Sequence, residues 1–301
     1  MDRRRHRGPG RRRPVIIGIS SLAWQETDDL EAILQGTASL GFRGVEINLG
    51  SREAPLERMT RHYSRRISRR ARQLGVRLAA HAPALDLNPI SGNRLVRRLT
   101  FDQYREALHA ARELGAQFMT VHLGVLSYPG FDRGEARRLC LEFYRRLLDA
   151  HPWPAPVIAL ENVGWGHRDP FLQVEDYLSL LDDLADPRAG FTLDVGHGFL
   201  AGLDMAALVR GLGPRLVNVH VHDNDGVEDW HRPLGEGVVD VAAVVRALEE
   251  AGYQGFLTFE HVSSRPPQAA VLHRIWARAK GPVPGAAGRE APGEGRDTRL
   301  P

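Results

Sequence analysis

Short apolar runs alternate with longer amphipathic stretches along this chain, with a repeat of about 30–40 residues. The apolar runs, such as Val157–Glu161 and Leu216–His222, are rich in valine, isoleucine and leucine, which is typical of strands buried in a parallel sheet. The stretches between them have apolar residues at helical spacing, and several end at a glycine such as Gly41 or Gly115. Eight strand-like and eight helix-like segments alternate, which predicts parallel βα units.

A single (β/α)8 TIM barrel over residues 15–280 accommodates this alternation, and 301 residues is an ordinary length for one such domain. Residues 1–14 are predicted to be a disordered, arginine-rich arm, and residues 281–301 a disordered tail rich in glycine and proline. The alternatives for the arm are contact with nucleic acid or acidic lipid. A signal peptide is disfavoured because VIIGISSLAW lacks a long apolar core.

Net charge and cysteine content narrow the function classes. The formal net charge is +3, but residues 1–13 hold seven arginines and one aspartate, so the rest of the chain carries −3. A mildly acidic body gives no support for a nucleic-acid binder. No apolar run approaches the ~20 residues of a membrane helix. The lone Cys140 is compatible with a reducing, cytoplasmic location, and it leaves nitrogen and oxygen ligands for any metal.

Metal-ligand side chains follow most of the predicted strands. Nine such residues stand out: His81, His122, Glu161, Asp194, His197, His222, Asp229, His231 and Glu260. Imidazole and carboxylate are ligands of zinc, manganese and iron. A lone histidine at a strand end is more often a hydrogen-bonded structural residue. Because the carboxyl ends of barrel strands meet at one mouth, the repeated pattern instead predicts a metal site there.

Two carboxylates end buried apolar strands, Glu161 in VIALE and Glu260 in FLTFE. Burial makes an ionised carboxylate costly unless a cation or hydrogen-bond donors stabilise it. A salt bridge to a loop arginine is the alternative. In VNVHVHDND, period-two alternation puts His220 and His222 on the inner face of the barrel. We expect His222, nearer the mouth, to be the ligand and His220 to be an interior hydrogen-bonding residue.

Several loop residues are candidates for substrate binding. Asp229 and His231 lie in the loop after the seventh strand, where solvated side chains are the alternative interpretation. Trp24 and Trp165 are candidates for the floor of a substrate pocket, or else packed loop aromatics. Arg232, together with His197, is a candidate for binding hydroxyl or phosphate groups.

Taken together, these motifs resemble the xylose-isomerase-like TIM-barrel superfamily, which includes sugar phosphate isomerases and epimerases and endonuclease IV. The resemblance covers about residues 15–278. It rests on HAP at 81, HLG at 122, LEN at 160, DVGH at 194, HVHDND at 220, DWH at 229, LGEG at 234 and FEH at 259. It implies a divalent metal, Zn or Mn, held by Glu161, Asp194, His222 and Glu260.

The likeness to endonuclease IV implies up to three zinc ions. The first would be held by His81, His122 and Glu161, the second by the four residues above, and the third by His197, Asp229 and His231. The chain departs from that enzyme at Ala84, where an aromatic is expected. It departs from the epimerases, which carry an arginine where this chain has Asp229–His231.

The leading expectation is therefore a metal-dependent sugar or sugar-phosphate isomerase or epimerase. Glu161 and Glu260 would transfer a proton next to a metal-bound carbonyl. The alternative is a multinuclear zinc phosphodiesterase, and only that alternative includes nucleic acid as a partner. A barrel that binds a sugar without turnover is a third hypothesis, which so many ionisable groups at one mouth disfavour.

Overall fold

The computed structural model describes residues 14–164, 166–261 and 270–279. Its eight strands are all parallel, pair in chain order and close into a barrel, because the first strand pairs with both the second and the eighth. The strands are β1 (Ile16–Ser20), β2 (Gly44–Asn48), β3 (Arg77–His81), β4 (Phe118–His122), β5 (Val157–Glu161), β6 (Ala189–Asp194), β7 (Leu216–Val221) and β8 (Phe256–Phe259). The predicted (β/α)8 fold is confirmed.

Helices follow the strands around the outside of the barrel. In the described part of the chain they are α1 (Leu30–Ser39), α2 (Arg61–Gln73), α3 (Arg94–Leu114), α4 (Arg133–Asp149), α5 (Val174–Leu184), α6 (Val195–Leu200), α7 (Met205–Leu212), α8 (Val241–Glu250) and α9 (Ala270–Ala279). None of these helices is both long and apolar enough to cross a membrane. The predicted arm lies outside the described residues except for Pro14, and the predicted tail lies wholly outside them.

Three helices differ from what the apolar spacing predicts. It predicts a second helix over roughly Leu56–Leu74, but α2 begins at Arg61, where the Thr60 side chain caps it. It predicts a third helix near Phe101–Leu114, but α3 begins at Arg94, because the Asn93 side chain accepts a hydrogen bond from the backbone of Leu95 and caps the helix. Helix α6 was not predicted. It is only six residues long and contains two glycines, and it forms where the Asp194 side chain accepts from the His197 backbone at 2.6 Å.

The barrel interior is layered from bottom to mouth. An apolar cluster fills the end where the strands begin: Ile16, Ala79, Phe118, Ala159 and Phe256. Above it lies a fully buried polar layer: Glu46, Thr120, Thr192, Asn218 and Thr258. The imidazoles and carboxylates lie above this layer, at the carboxyl ends of the strands. A (β/α)8 barrel normally carries its active site at that end.

Candidate active site

The first ligand group joins the ends of β3, β4 and β5. His81 Nε2 lies 3.3 Å and His122 Nε2 3.1 Å from the same oxygen of Glu161, Oε2. The Glu161 side chain is only 1% exposed. A buried carboxylate faced by two imidazoles has the composition of a metal site with nitrogen and oxygen ligands.

The second group joins β5, β6, β7 and the residue after β8, and it shares Glu161 with the first. His220 Nδ1 lies 2.8 Å from Glu161 Oε1, 2.7 Å from Glu260 Oε2 and 3.8 Å from Asp194 Oδ2. All four side chains are buried. Three carboxylates thus surround one imidazole.

The grouping differs from the sequence prediction at β7, where His220 and not His222 lies between Glu161 and Glu260. Strand β7 ends at Val221, so His222 projects from the start of the loop rather than from the barrel wall. Its Nε2 lies 3.0 Å from both Asp194 oxygens, and its ring stacks on His231 with the ring centroids 3.9 Å apart. Period-two alternation alone does not give the depth of either histidine.

The third group contains Asp229 and His231, the two loop residues for which solvated side chains were the alternative interpretation. His197 Nε2 and His231 Nε2 lie 2.9 and 3.1 Å from the same oxygen of Asp229, and His222 belongs to the same group. His231 adopts a φ of 46°, a left-handed conformation that is uncommon for a residue other than glycine. Asp229 therefore lies between His197 and His231, and the side chains of Asp229 and His231 remain 26% and 22% exposed.

Three of the imidazoles are oriented in the same way by the backbone. His81, His197 and His231 each donate a hydrogen bond from Nδ1 to a main-chain carbonyl. The acceptors are Ala82 at 2.7 Å, Asn162 at 3.0 Å and Glu260 at 2.7 Å, respectively. This arrangement directs each Nε2 towards a carboxylate at the mouth. Metal-binding histidines are typically oriented by such a hydrogen bond on their other nitrogen.

Carboxylates at the mouth raise the pKa values of two of the imidazoles. Burial by itself would lower the pKa of His81, but the hydrogen bond and charge of Glu161 raise the pKa to about 9. Burial would likewise lower the pKa of His231, and Asp229 raises it to about 9. Without a metal ion, the carboxylates thus draw protons onto neighbouring imidazoles, and a divalent cation would compete for the same nitrogens.

The imidazoles in turn lower the pKa values of two carboxylates. Burial would raise the pKa of Glu260, but the charge of His220 lowers it to about 2. Burial also opposes ionisation of Glu161, and the charge of His220, with hydrogen bonds from neighbouring histidines, holds its pKa well below the usual value. Both carboxylates are therefore ionised at neutral pH.

Supporting residues that the sequence did not single out hold these groups in place. The Asn162 side chain accepts from the Asp194 backbone N–H and donates to the Asp194 carbonyl, both at 2.8 Å. Asp223 accepts backbone N–H groups from Gly235, Gly237 and Val239 at 2.9–3.0 Å. These hydrogen bonds fix the conformation of the loop that carries Asp229.

Glu46 is a further supporting residue, beneath the second group. It is 1% exposed and lies 2.7 Å from His220 Nε2, while it also accepts hydrogen bonds from Thr120 and Asn218. A charged residue in the middle of the apolar strand GVEIN is the sequence signal that could have identified it.

The remaining predicted substrate residues lie apart from the ligand groups or are otherwise paired. The Trp24 ring packs on α1, where a methyl group on Gly36 would lie 2.5 Å from its Cζ3. The Arg232 guanidinium pairs with the Asp225 carboxylate at 3.1 Å. Trp165 lies outside the described residues. Of the predicted substrate residues, only His197 is part of a ligand group.

Residues 34–279 match the family of xylose isomerase-like TIM barrels. The chain belongs to this family. It is 30% identical over 196 residues to an uncharacterized protein of Methanocaldococcus jannaschii, a match that covers 63% of this chain and 66%, just under two thirds, of that protein. It is 31% identical over 180 residues to a probable endonuclease 4 of Mycobacterium tuberculosis, covering 57% of this chain and 68% of the relative.

A similar solved structure is that of a D-tagatose 3-epimerase-like protein. Its TM-score is 0.76 at 25% sequence identity, and the match covers 88% of this chain and 97% of that one. The family resemblance predicted from the motifs is thus confirmed. The similar proteins include both an epimerase-like protein and an endonuclease, so the reaction must be argued from the site.

Proposed function

We propose that this protein is a multinuclear divalent-metal enzyme that hydrolyses phosphoesters. The observation that carries the proposal is the packing of Asp229 and His231 on His197, which adds a third ligand group beside the two that share Glu161. Proton transfer next to a carbonyl needs acid–base groups and at most one metal site. Phosphoryl transfer uses neighbouring metal ions that stabilise both the attacking and the leaving oxygen. Such a reaction would explain why three ligand groups lie side by side.

The side chains present fit divalent metal ions. Within each group, one donor atom from every residue lies within 4.8 Å of the others. The Nδ1 atom of His222 is buried and has no hydrogen-bond partner, so the third group contains an unused donor nitrogen. The donors are all nitrogen and oxygen, which suits zinc or manganese.

Each group would hold one ion. The first would use His81, His122 and Glu161, the second Glu161, Asp194, His220 and Glu260, and the third His197, Asp229 and His231 with His222 beside them. When bound, such ions supply Lewis-acid polarisation of the phosphoryl group and activation of water. The chain itself contributes a rigid arrangement, because backbone carbonyls orient three imidazoles and Asn162 holds Asp194. Preorganised ligands need not rearrange during the reaction.

We propose a small phosphoester, rather than a DNA duplex, as the substrate. Arg232 at the mouth is already neutralised by Asp225, and the loop after β3 carries Ala84 where the endonuclease likeness implies an aromatic. The duplex backbone is normally bound by a surface of unpaired cations. With Arg232 paired, we expect the mouth to attract a phosphate through bound metal ions.

A hydrolysis assay with a matched pair of variants tests the proposal. Metal-free protein is reconstituted with zinc or manganese and assayed on bis(p-nitrophenyl) phosphate and on p-nitrophenyl phosphate. We expect Asp229→Asn to lower kcat at least 100-fold and to lose one bound ion. The control Asp225→Asn, in the same loop but paired with Arg232, should keep wild-type kcat. Wild-type activity in Asp229→Asn, or no hydrolysis by fully loaded wild-type protein, would overturn the proposal.

An isomerase or epimerase is the second candidate, and one observation favours it. The ionised carboxylates of Glu161 and Glu260 lie 2.8 and 2.7 Å from the same nitrogen of His220, so two bases face one small volume. The similarity to a D-tagatose 3-epimerase-like structure supports it as well. Incubation with ketoses and ketose phosphates in deuterium oxide would then place deuterium next to the carbonyl. No exchange across the panel would exclude this reaction for those substrates.

A further inference from the structure

A second concave site lies outside the barrel, between helices α3 and α4. The cavity has a volume of about 530 Å³. We refer to it as the arginine cleft, and we define it by Arg94, Arg97, Arg98 and Arg105 of α3, Arg146 of α4, and the aromatic floor residue Phe101. None of these residues belongs to the three ligand groups.

The arginine cleft has more positive charge than its own carboxylates offset. Its two acidic lining residues are Asp102 and Glu142. Glu142 pairs with Arg138, which does not line the cleft, at 3.1 Å, and Asp102 lies 4.0 Å from its two arginine neighbours. Within the described ranges, no carboxylate lies within 4.0 Å of Arg94, Arg97 or Arg146, and in this sense we call them the unpaired cations of the cleft. The charge of Arg97 still contributes, after the Arg138 hydrogen bond and charge, to a lowered pKa of Glu135.

Two of these three unpaired guanidinium groups are already held in position. The guanidinium carbon of Arg146 lies 4.2 Å from the ring centroid of Phe101, in a cation–π contact. Arg97 Nη1 donates to the Ser91 carbonyl at 2.5 Å. Prior ordering reduces the side-chain entropy lost when a ligand binds. The buried rings of Phe101 and Phe143 exclude water from one side of the cleft, which strengthens electrostatic attraction within it.

The arginines of the neighbouring helix α2 provide a contrast. Arg61 and Arg65 lie 3.4 and 2.7 Å from Glu113, and Arg66 lies 2.9 Å from Glu31. Those three arginines form salt bridges on an exposed surface, which accounts for them without any ligand. The unpaired arginines of the cleft have no such partners.

We propose that the arginine cleft binds a ligand with two or three adjacent phosphoryl groups. The planar guanidinium fork matches phosphate oxygens in a bidentate manner, which lysine cannot do. Three unpaired forks around one cavity exceed the needs of a single phosphate, and about 530 Å³ lies within the range of small-molecule sites. The cleft shares no residue with the three ligand groups, so this proposal does not depend on the reaction proposed at the mouth.

Titration calorimetry on the metal-free full-length protein, in buffer containing EDTA, tests this inference. The probes are inorganic pyrophosphate, inorganic triphosphate and ATP, with sulfate as the control anion. We expect micromolar binding of triphosphate and at least tenfold weaker binding of sulfate. Similar affinities for triphosphate and ATP would identify the phosphate chain as the recognised group, whereas tighter ATP binding would identify a nucleotide ligand.

Two double variants, each of which removes two positive charges, distinguish a specific binding site from general electrostatic attraction. Arg97→Gln with Arg146→Gln should weaken triphosphate binding at least tenfold. The control, Arg137→Gln with Arg145→Gln, removes two α4 arginines that contact Asp183 outside the cleft lining, and it should change affinity less than twofold. Arg146→Lys keeps the charge but loses the fork, and should weaken binding about fivefold. Circular dichroism confirms folding. No binding of any phosphate probe to wild-type protein, or equal losses in the two double variants, would overturn the proposal.

Discussion

Gly196 and Gly198 occupy the same short helix, α6, yet they should respond in opposite ways to substitution by alanine. A methyl group on Gly196 would lie 2.6 Å from both ring nitrogens of His222, a separation that real contacts do not show. A methyl group on Gly198 would lie 3.2 Å from Met205 Cγ and Sδ, atoms of a flexible side chain that can move. The Gly196→Ala variant must therefore displace the His222 imidazole.

The expected free energies follow from these contacts. Alanine is better than glycine in a helix by about 1 kcal/mol, and this gain applies equally to both positions. In Gly196→Ala, loss of the His222–Asp194 contact at 3.0 Å costs about 1.5–3 kcal/mol, as for a hydrogen bond to a charged group. Overpacking adds about 1–3 kcal/mol. We expect Gly196→Ala to lower the free energy of unfolding by about 1.5–5 kcal/mol, and Gly198→Ala to leave it unchanged or raise it by up to about 1 kcal/mol.

Urea denaturation of the metal-free proteins at pH 7 measures both free energies, and zinc titration against a chelating dye measures metal binding. Zinc binding should weaken in Gly196→Ala, because the displaced ring also stacks on His231. Equal stability and equal zinc affinity of the two variants would refute the reasoning, because it would show that the position of His222 is not set by its contact with α6.

Two further predictions concern protons and the buried layer beneath the site. His81 and His231 have folded-state pKa values of about 9, above their ordinary value of 6.5. The stability that their protonation adds to the folded protein is therefore complete below pH 6.5 and is lost as pH rises to 9. For His81 alone this loss is about 3 kcal/mol; urea titrations of metal-free protein at pH 6, 7.5 and 9 measure it, and a flat profile would contradict it. Glu46→Leu should weaken zinc binding about 10–100-fold, because His220 Nε2 loses its partner. Glu46→Gln keeps an acceptor oxygen and should bind zinc more tightly than Glu46→Leu; equal zinc affinities in a chelator competition would count against this role.

Most of the fold could be predicted from local patterns. The apolar spacing predicts helices near Val174–Leu184 and Met205–Leu212, which are the limits of α5 and α7, and β4 and β5 coincide with their apolar runs. The start of α3 was missed because its first turns expose Leu95 and Leu99 among arginines, which weakens the amphipathic pattern. Helix α6 was missed because its two glycines have poor helix propensity and its capping by Asp194 depends on the site itself.

The sequence pattern predicts which residues lie at the candidate site more completely than it predicts which of them form each ligand group. Strand ends converge in a barrel, so the residues that follow β3 to β8 had to meet. The choice between His220 and His222 depended on where β7 ends, which alternation does not fix. The placement of Asp229 and His231 depended on a loop held by Asp223. Those hydrogen bonds join residues more than ten positions apart, and the sequence pattern does not encode them.

The number of metal ions bound by one chain tests the central claim most directly. The full-length protein is loaded with zinc, freed of excess metal and measured by mass spectrometry of its metal content, and anomalous diffraction then locates the ions. We predict three ions, one at each ligand group, with the third lost in Asp229→Asn and retained in Asp225→Asn. A single ion per chain, bound between Glu161 and Glu260, would contradict the multinuclear site and favour the isomerase.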